Sequence, residues 1–249
     1  MAALSSYSLV FYAAVLLGAF MVRSAAGFGA GLIAIPMLAL ILPVSTAVSV
    51  ASVLTVLSSM QQVSREWRQI AWRHFIMIFL YSMVGVALGL YFVKLLNEDL
   101  MRHALGIFMI LYSLRALFSA GNSARPVSAR WHAPLGAGVG IVGGLCSALF
   151  GAGAGPIYIV YFDILRLEKA VFRATMSAVV LLSGGARIVG YGSLGLYTGS
   201  SIALLAIGIP LMIAGSWVGD RVVYRLNARS FARLVSAVML LSGATLLIR

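Results

Sequence analysis

A chain of 249 residues with 62% hydrophobic and only 10% charged side chains is too apolar for a soluble domain, in which about a quarter of residues carry charge, and its mean hydropathy of +1.04 agrees. The formal charge of +12, from 18 Lys and Arg against 6 Asp and Glu, would suggest nucleic acid in a soluble protein. Here the basic residues fall in short connections beside apolar runs and form no basic and aromatic surface, so nucleic acid is excluded and a positive-inside bias explains the charge. The single cysteine, Cys146, excludes an internal disulfide and a cysteine-pair metal site, and reads as a small buried residue near a glycine turn.

These features predict an all-α integral membrane protein forming one transmembrane transporter domain over residues 1–249. Apolar segments run at 7–26, 31–42, 44–63, 74–93 and 103–119, then at 134–150, 156–165, 171–192, 199–219 and 231–248. The first lacks a basic n-region and flows into a glycine stretch without a cleavage site, so it is expected to be a retained span. The second segment of each five is far too short for a hydrocarbon core that needs about 20 helical residues. Each short segment follows a glycine cluster. The expected architecture is therefore about eight long transmembrane helices and two short broken or re-entrant ones, in two repeats of about 1–120 and 131–249.

Three colinear blocks support the duplication. "GFGAGLIAIP" from Gly27 lines up with "GAGAGPIYIV" from Gly151, so that Gly27, Gly29 and Gly31 meet Gly151, Gly153 and Gly155. After a shift of about one residue, Ala47 and Ser52 meet Ala170 and Thr175; later "LGLYFVKLLN" from Leu88 parallels "VGDRVVYRLN" from Val218. Charge then orients the halves. The basic connection Arg65–His74 pairs with the uncharged Gly192–Ser201, the uncharged Leu42–Ser45 with the basic Arg166–Arg173, and the balanced Lys94–His103 with the stretch holding Arg221, Arg225, Arg229 and Arg233. Basic connections prefer the cytoplasm, so the repeats are expected to be inverted, with both chain ends outside. Such repeats are common in transporters.

Non-helical backbone at membrane depth is tolerated only where it lines a cavity or is buried in protein. Glycines on alternate positions allow amides to turn inward and approach a ligand, and a helix start presents unpaired N–H groups at the positive end of its dipole. Two such starts facing each other are expected to form an anion site. Arg23, just before the first break, and Arg187, within the third span of the second half, are the charges that would meet it; hairpin carbonyls and snorkelling are their structural alternatives. Ser52 and Thr175, at matching positions, would add hydroxyl donors, unless they bond back to their own helices. Gln61 and Gln62 would donate to an oxyanion or bond between helices. Asp163, the acid well inside an apolar segment, reads as a coupling-proton acceptor or as the i, i+3 partner of Arg166. His74, His103 and His132 lie at span ends without metal-ligand spacing, no nucleophile sits in a recognisable motif, and phosphate loops are absent. No enzyme, cofactor or ATP-driven pump is expected.

The two glycine turns, "GFGAGLIAIPMLALILPVSTAVSVAS" and "GLCSALFGAGAGPIYIVYFDILRLEKAVFRAT", each followed by a short apolar segment and an Ala-rich span, resemble the TauE/SafE sulfite-exporter family of bacterial membrane transporters over nearly the whole chain. The resemblance implies transport of sulfur-containing anions such as sulfite, thiosulfate, sulfoacetate and other organosulfonates, without ATP hydrolysis and across the bacterial inner membrane. It implicates Gly27, Gly29, Gly31, Gly151, Gly153 and Gly155 in the anion site, while Phe28 and Ala30 stand where the family often carries a denser glycine run. A secondary transporter of a small sulfur anion is the expected function. A passive anion channel, a carrier of a non-sulfur organic anion and a membrane scaffold are the alternatives. The expected partners are that small anion and membrane lipid, and a homodimer is left open.

Overall fold

The computed structural model describes residues 6–118, 131–151, 154–222 and 228–248. Among them are ten α-helices and no strand: α1 Ser6–Ala26, α2 Ala30–Leu38, α3 Val44–Glu66, α4 Trp72–Leu95, α5 Glu98–Phe118, α6 His132–Phe150, α7 Ala154–Ile164, α8 Lys169–Ser193, α9 Gly199–Val222 and α10 Ala228–Ile248. A single 3-10 turn, Trp67–Gln69, links α3 to α4. Six helices, α1, α3, α4, α6, α8 and α9, are long and apolar enough to cross a membrane. α5 and α10 have 21 residues each, and Ser236–Ile248 of α10 is a further, shorter apolar stretch among the described residues.

The short segments are short in the structure as well. α2 has 9 residues and α7 has 11, about 14 and 17 Å at 1.5 Å per residue. Eight of the nine α2 residues are buried, Met37 being the exception, so this helix is a core element. Pro36 lies inside it, past the first turn, so no N–H from that position bonds back to Leu32 O, and Pro43 stands at the N-cap of α3. α5 begins five residues before the apolar run at 103 because Asn97 caps it, its Oδ1 accepting from Leu100 N at 2.9 Å. The acids behind it sit favourably at a helix start. Apolar patterning alone misses a polar first turn of this kind.

Helices meet in pairs: α4 with α6, α1 with α9, α5 with α10 and α3 with α8, while α2 packs on both α1 and α3. Glycines let three of these pairs approach closely, as small residues do in membranes, where dispersion replaces the hydrophobic drive. Between α4 and α6, a Cβ on Gly85 would stand 2.0 Å from Ile141 O and one on Gly144 2.1 Å from Ser82 O. Between α1 and α9, a Cβ on Gly219 would stand 2.4 Å from Met21 O. Gly106 of α5 faces Gly243 of α10. The outer pairs leave α3 and α8 in the middle, each with a run of buried small polar residues, Ser52, Thr55, Ser58 and Ser59 on one and Thr175, Ser177 and Ser183 on the other.

The basic connections gather at one end. Arg173 at the start of α8 pairs with Glu66 at the end of α3, and Arg65 pairs with Asp220 at the end of α9. At the other end, Glu98 of α5 accepts from Val44 N and Ser45 N at the start of α3.

Gly144→Val drives a branched side chain into the backbone of α4. It is expected to cost about 1–3 kcal/mol or more and to lower the thermal midpoint of the detergent-solubilised protein. Gly138→Ala, on the same helix with nothing within 4 Å of its Cβ, should leave that midpoint unchanged or raise it.

Candidate functional site

Both intramembrane arginines are buried, Arg23 at 1% exposure and Arg187 at 2%. Both line one central cavity of about 30 Å³, room for a water molecule or two. Both glycine breaks reach the same cavity: Phe28, Gly29 and Gly31 from the first, Gly151 and Gly155 from the second. The remaining wall comes from Thr55 of α3, Ser147 of α6 and Tyr158 of α7, with Met176, Val180 and Ser183 along α8.

The glycines are required by the backbone at two of these positions. Gly29 caps α2 with φ at +99° and Gly151 ends α6 at +72°, both in the left-handed region that side chains disfavour. In α2 the first i to i−4 bond runs from Ile33 N to Gly29 O at 3.2 Å. The amides of Ala30, Gly31 and Leu32 are therefore the three donors that precede it, at the positive end of a buried helix. Gly155 stands in the first turn of α7. Gly153 lies outside the described residues, and nothing is said of its place.

The two guanidiniums are held differently. Arg23 Nε donates to Ser58 Oγ at 3.1 Å and Nη2 to Ser59 Oγ at 2.6 Å. Arg187 Nη1 donates to Ser147 O at 3.1 Å and to Ser147 Oγ, whereas its Nε and Nη2 have no hydrogen-bond partner among the described residues, nor has Thr55 Oγ1. Among the described residues no carboxylate pairs with either guanidinium. A buried charge in this position ordinarily requires a counter-charge, because desolvation costs several kcal/mol per ion. Two fixed positive charges, free N–H donors, a hydroxyl and a helix start around one cavity favour an oxyanion with several acceptors. Among the described residues no group of three or more His, Cys, Asp or Glu could hold a metal.

Beyond Arg187, the hydroxyl of Tyr191 donates to Ala148 O. Tyr197 follows in the α8–α9 connection. Burial pushes its phenol up to about 12, against the lowering pull of the Arg187 guanidinium, so it remains a neutral donor at physiological pH. On the other side, a vestibule of about 270 Å³ opens at the basic end, and Gln61 and Gln62 line it together with Ser58. Gly27 faces this side too, since its Cβ would stand 2.3 Å from Arg173 Cγ.

The structure thus brings Arg23, Arg187, Gly29, Gly31, Gly151 and Gly155 to one cavity, while Gln61, Gln62 and Gly27 stand on the vestibule side. Ser52 bonds back to Val48 O at 2.6 Å, though its Oγ would lie 3.3 Å from a Cβ on Gly151. Thr175 Oγ1 accepts from Ala71 N at 3.0 Å, tying α8 to the α3–α4 connection. Neither Ser52 nor Thr175 lines the cavity. Asp163 is placed near the end of α7, eight positions along the chain from Gly155, which lines the cavity. Sequence reasoning missed Thr55, Ser58, Ser59, Ser147 and Ser183. A signal existed: Ser52, Thr55, Ser59 and Gln62 recur at three- and four-residue steps, as do Met176, Val180, Ser183 and Arg187, which sets each series on one helix face.

Gly155 and Gly151 separate space from backbone need. A Cβ on Gly155 would meet Phe28 Cδ2 at 3.4 Å and Met176 Cε at 3.7 Å, ordinary contact. Gly155→Ala is therefore expected to keep its thermal midpoint in detergent while narrowing the cavity. Gly151→Ala, strained at positive φ with its Cβ 2.7 Å from Ile35 Cδ1, should lose about 1–2 kcal/mol and melt earlier.

Comparison with known proteins bears on the whole of this arrangement. The family model described as sulfite exporter TauE/SafE matches residues 11–246, a span that takes in both glycine breaks and both buried arginines. No curated protein and no solved structure matches the chain. A match from α1 to α10, on a bundle with six membrane-competent helices, settles membership: the chain belongs to the sulfite exporter TauE/SafE family of membrane transporters.

Proposed function

We propose that this protein is a secondary carrier of a small sulfur oxyanion, sulfite or an organosulfonate such as sulfoacetate, which it holds in the central cavity between Arg23 and Arg187. The observation that carries the reading is the burial of two guanidiniums on one cavity with no carboxylate partner among the described residues, two nitrogens of Arg187 having no partner there either. A sulfonate offers three acceptor oxygens. Arg187 Nε and Nη2, Thr55 Oγ1 and the first amides of α2 supply matching donors.

Carrier action is favoured over a channel by the size and closure of the site. A channel needs a continuous wetted path, whereas the central cavity of about 30 Å³ has Tyr191 and Tyr197 toward one side and the Arg23–Ser58 bond toward the other. Inverted repeats would supply the moving parts. Exchanging α1–α5 with α6–α10 turns the α4–α6 contact into α9–α1 and the α4–α8 contact into α9–α3, while α3–α8 and α5–α10 map onto themselves; all these contacts occur. Rocking one half against the other would then expose the cavity to alternate sides. The gathered basic connections support a cytoplasmic vestibule in a bacterial inner membrane. Gly27, Gln61 and Gln62 belong to the inner approach in this reading, and Gly153 to the second break. Ser52 bonds back within α3 and Thr175 ties α8 to the α3–α4 connection. Asp163 remains a candidate for coupling at the inner end of α7.

Counterflow in proteoliposomes tests the function. Preloaded sulfite or sulfoacetate is expected to accelerate uptake of labelled sulfoacetate, and preloaded acetate is not. Arg187→Ala should slow that exchange about thirtyfold or more, the equivalent of losing at least 2 kcal/mol from a buried charged contact, while the protein remains folded. Undiminished exchange in Arg187→Ala would remove that residue from the site.

A further inference from the structure

On the vestibule side of Arg23 the wall carries four charges in two pairs. Arg173 Nε donates to Glu66 Oε2 at 3.2 Å and Nη2 to Glu66 Oε1, which joins α8 to α3. Arg65 Nη1 meets Asp220 Oδ2 at 2.9 Å, which joins α3 to α9, while Ser24 of α1 donates to the other Asp220 oxygen. The space they line, about 270 Å³, is far larger than the central cavity.

Two observations mark this space as more than a clasp between helices. Ser216 lines it at 6% exposure, and its Oγ has no hydrogen-bond partner among the described residues. Ser58 also lines it while accepting from Arg23 Nε at 3.1 Å, so one hydroxyl separates the vestibule from the arginine of the central cavity. Two nearby arginines are drawn away, Arg68 over the Trp67 ring at 5.4 Å and Arg221 over Trp217 at 3.5 Å. Among the residues lining the vestibule, Arg65 and Arg173 are the guanidiniums.

We propose that the vestibule is a second, weaker anion site, in which an arriving small oxyanion takes Arg173 from Glu66 and Arg65 from Asp220 before it passes Ser58 to reach Arg23. The proposal rests on the central cavity being the anion's destination. Exchange is cheap for Arg65 and Asp220, which are 59% and 42% exposed at their side chains, since ion pairs of that exposure hold weakly. Arg173 and Glu66, at 27% and 14%, form the firmer pair, and the anion replaces Glu66 there by offering Arg173 the same two-oxygen contact. The bidentate geometry that Arg173 offers a carboxylate fits two oxygens of a sulfite or sulfonate equally well. Resident carboxylates also keep capture from becoming a trap. Conduction through successive sites needs binding strong enough to admit the anion and weak enough to release it.

Sulfite titrated calorimetrically into the detergent-purified full chain at one fixed pH tests this, using Arg187→Ala to remove the central site. That variant should retain weak sulfite binding. Glu66→Gln added to it should tighten that binding roughly tenfold, by removing a competing like charge, and Asp220→Asn should act in the same direction. Arg173→Ala added to Arg187→Ala should abolish it. Thermal midpoints of all variants establish that each is folded, and Glu66→Gln with Asp220→Asn gives two independent routes to the same gain. Binding in the Arg187→Ala chain that is absent, or indifferent to Glu66→Gln, Asp220→Asn and Arg173→Ala, would overturn the vestibule site. If Arg187→Ala instead binds as the unaltered protein does and still tightens with Glu66→Gln, the vestibule site stands and the central reading falls.

Discussion

Two buried guanidiniums that no carboxylate among the described residues pairs with are the constraint around which this bundle is arranged. A lone arginine within a membrane is costly wherever it lies, and Arg23 and Arg187 bring two like charges to one small cavity. Neutral donors and acceptors offset part of the cost. Serine hydroxyls receive Arg23, and a serine hydroxyl and carbonyl receive one nitrogen of Arg187. The remaining demand is electrostatic, and the proposed anion would meet it. Binding energy and fold stability would then be linked, because the ligand that satisfies the cavity would also relieve the protein.

The glycine breaks follow from the same demand. A continuous helix would present side chains to the cavity and satisfy its own amides. Ending α1 at Ala26 and restarting at Ala30 opens the backbone where the charge lies, and burial of nearly all of α2 keeps that opening inside the bundle. The outer helix pairs, closed by glycine against backbone, surround α3 and α8, a central pair whose small polar residues reach the cavity and vestibule. Phe28 adds a limit of a different kind. It lines the cavity between Gly27 and Gly29 and meets Phe172 edge to face at 6.2 Å, so an aromatic ring bounds the site where a glycine would have enlarged it.

Much of this was legible from the chain. The apolar runs locate the helices because burial in a bilayer depends on length and hydrophobicity, and the paired glycine clusters locate the breaks because few other residues tolerate them. Arg23 and Arg187 stood out since charge inside an apolar run is rare. Less legible were features created only by packing. Ser58 and Ser59 look like ordinary small residues until Arg23 folds onto them, 35 and 36 positions away. Glu66 meets Arg173 across 107 positions and Asp220 meets Arg65 across 155, so the vestibule is written in no local pattern. Ser52 and Thr175 share a position in the repeat and differ in surroundings, one bonded to its own helix and the other to a connection.

The claim at the centre is that an oxyanion sits between Arg23 and Arg187. Selenite, the heavier analogue of sulfite, allows a direct look, through a crystal structure of the full chain grown with it and anomalous data collected at the selenium edge. An anomalous peak in the central cavity, within hydrogen-bond reach of Arg187 Nε and Nη2, is the expected result. A peak elsewhere in the chain, with none between the two arginines at saturating selenite, would contradict it.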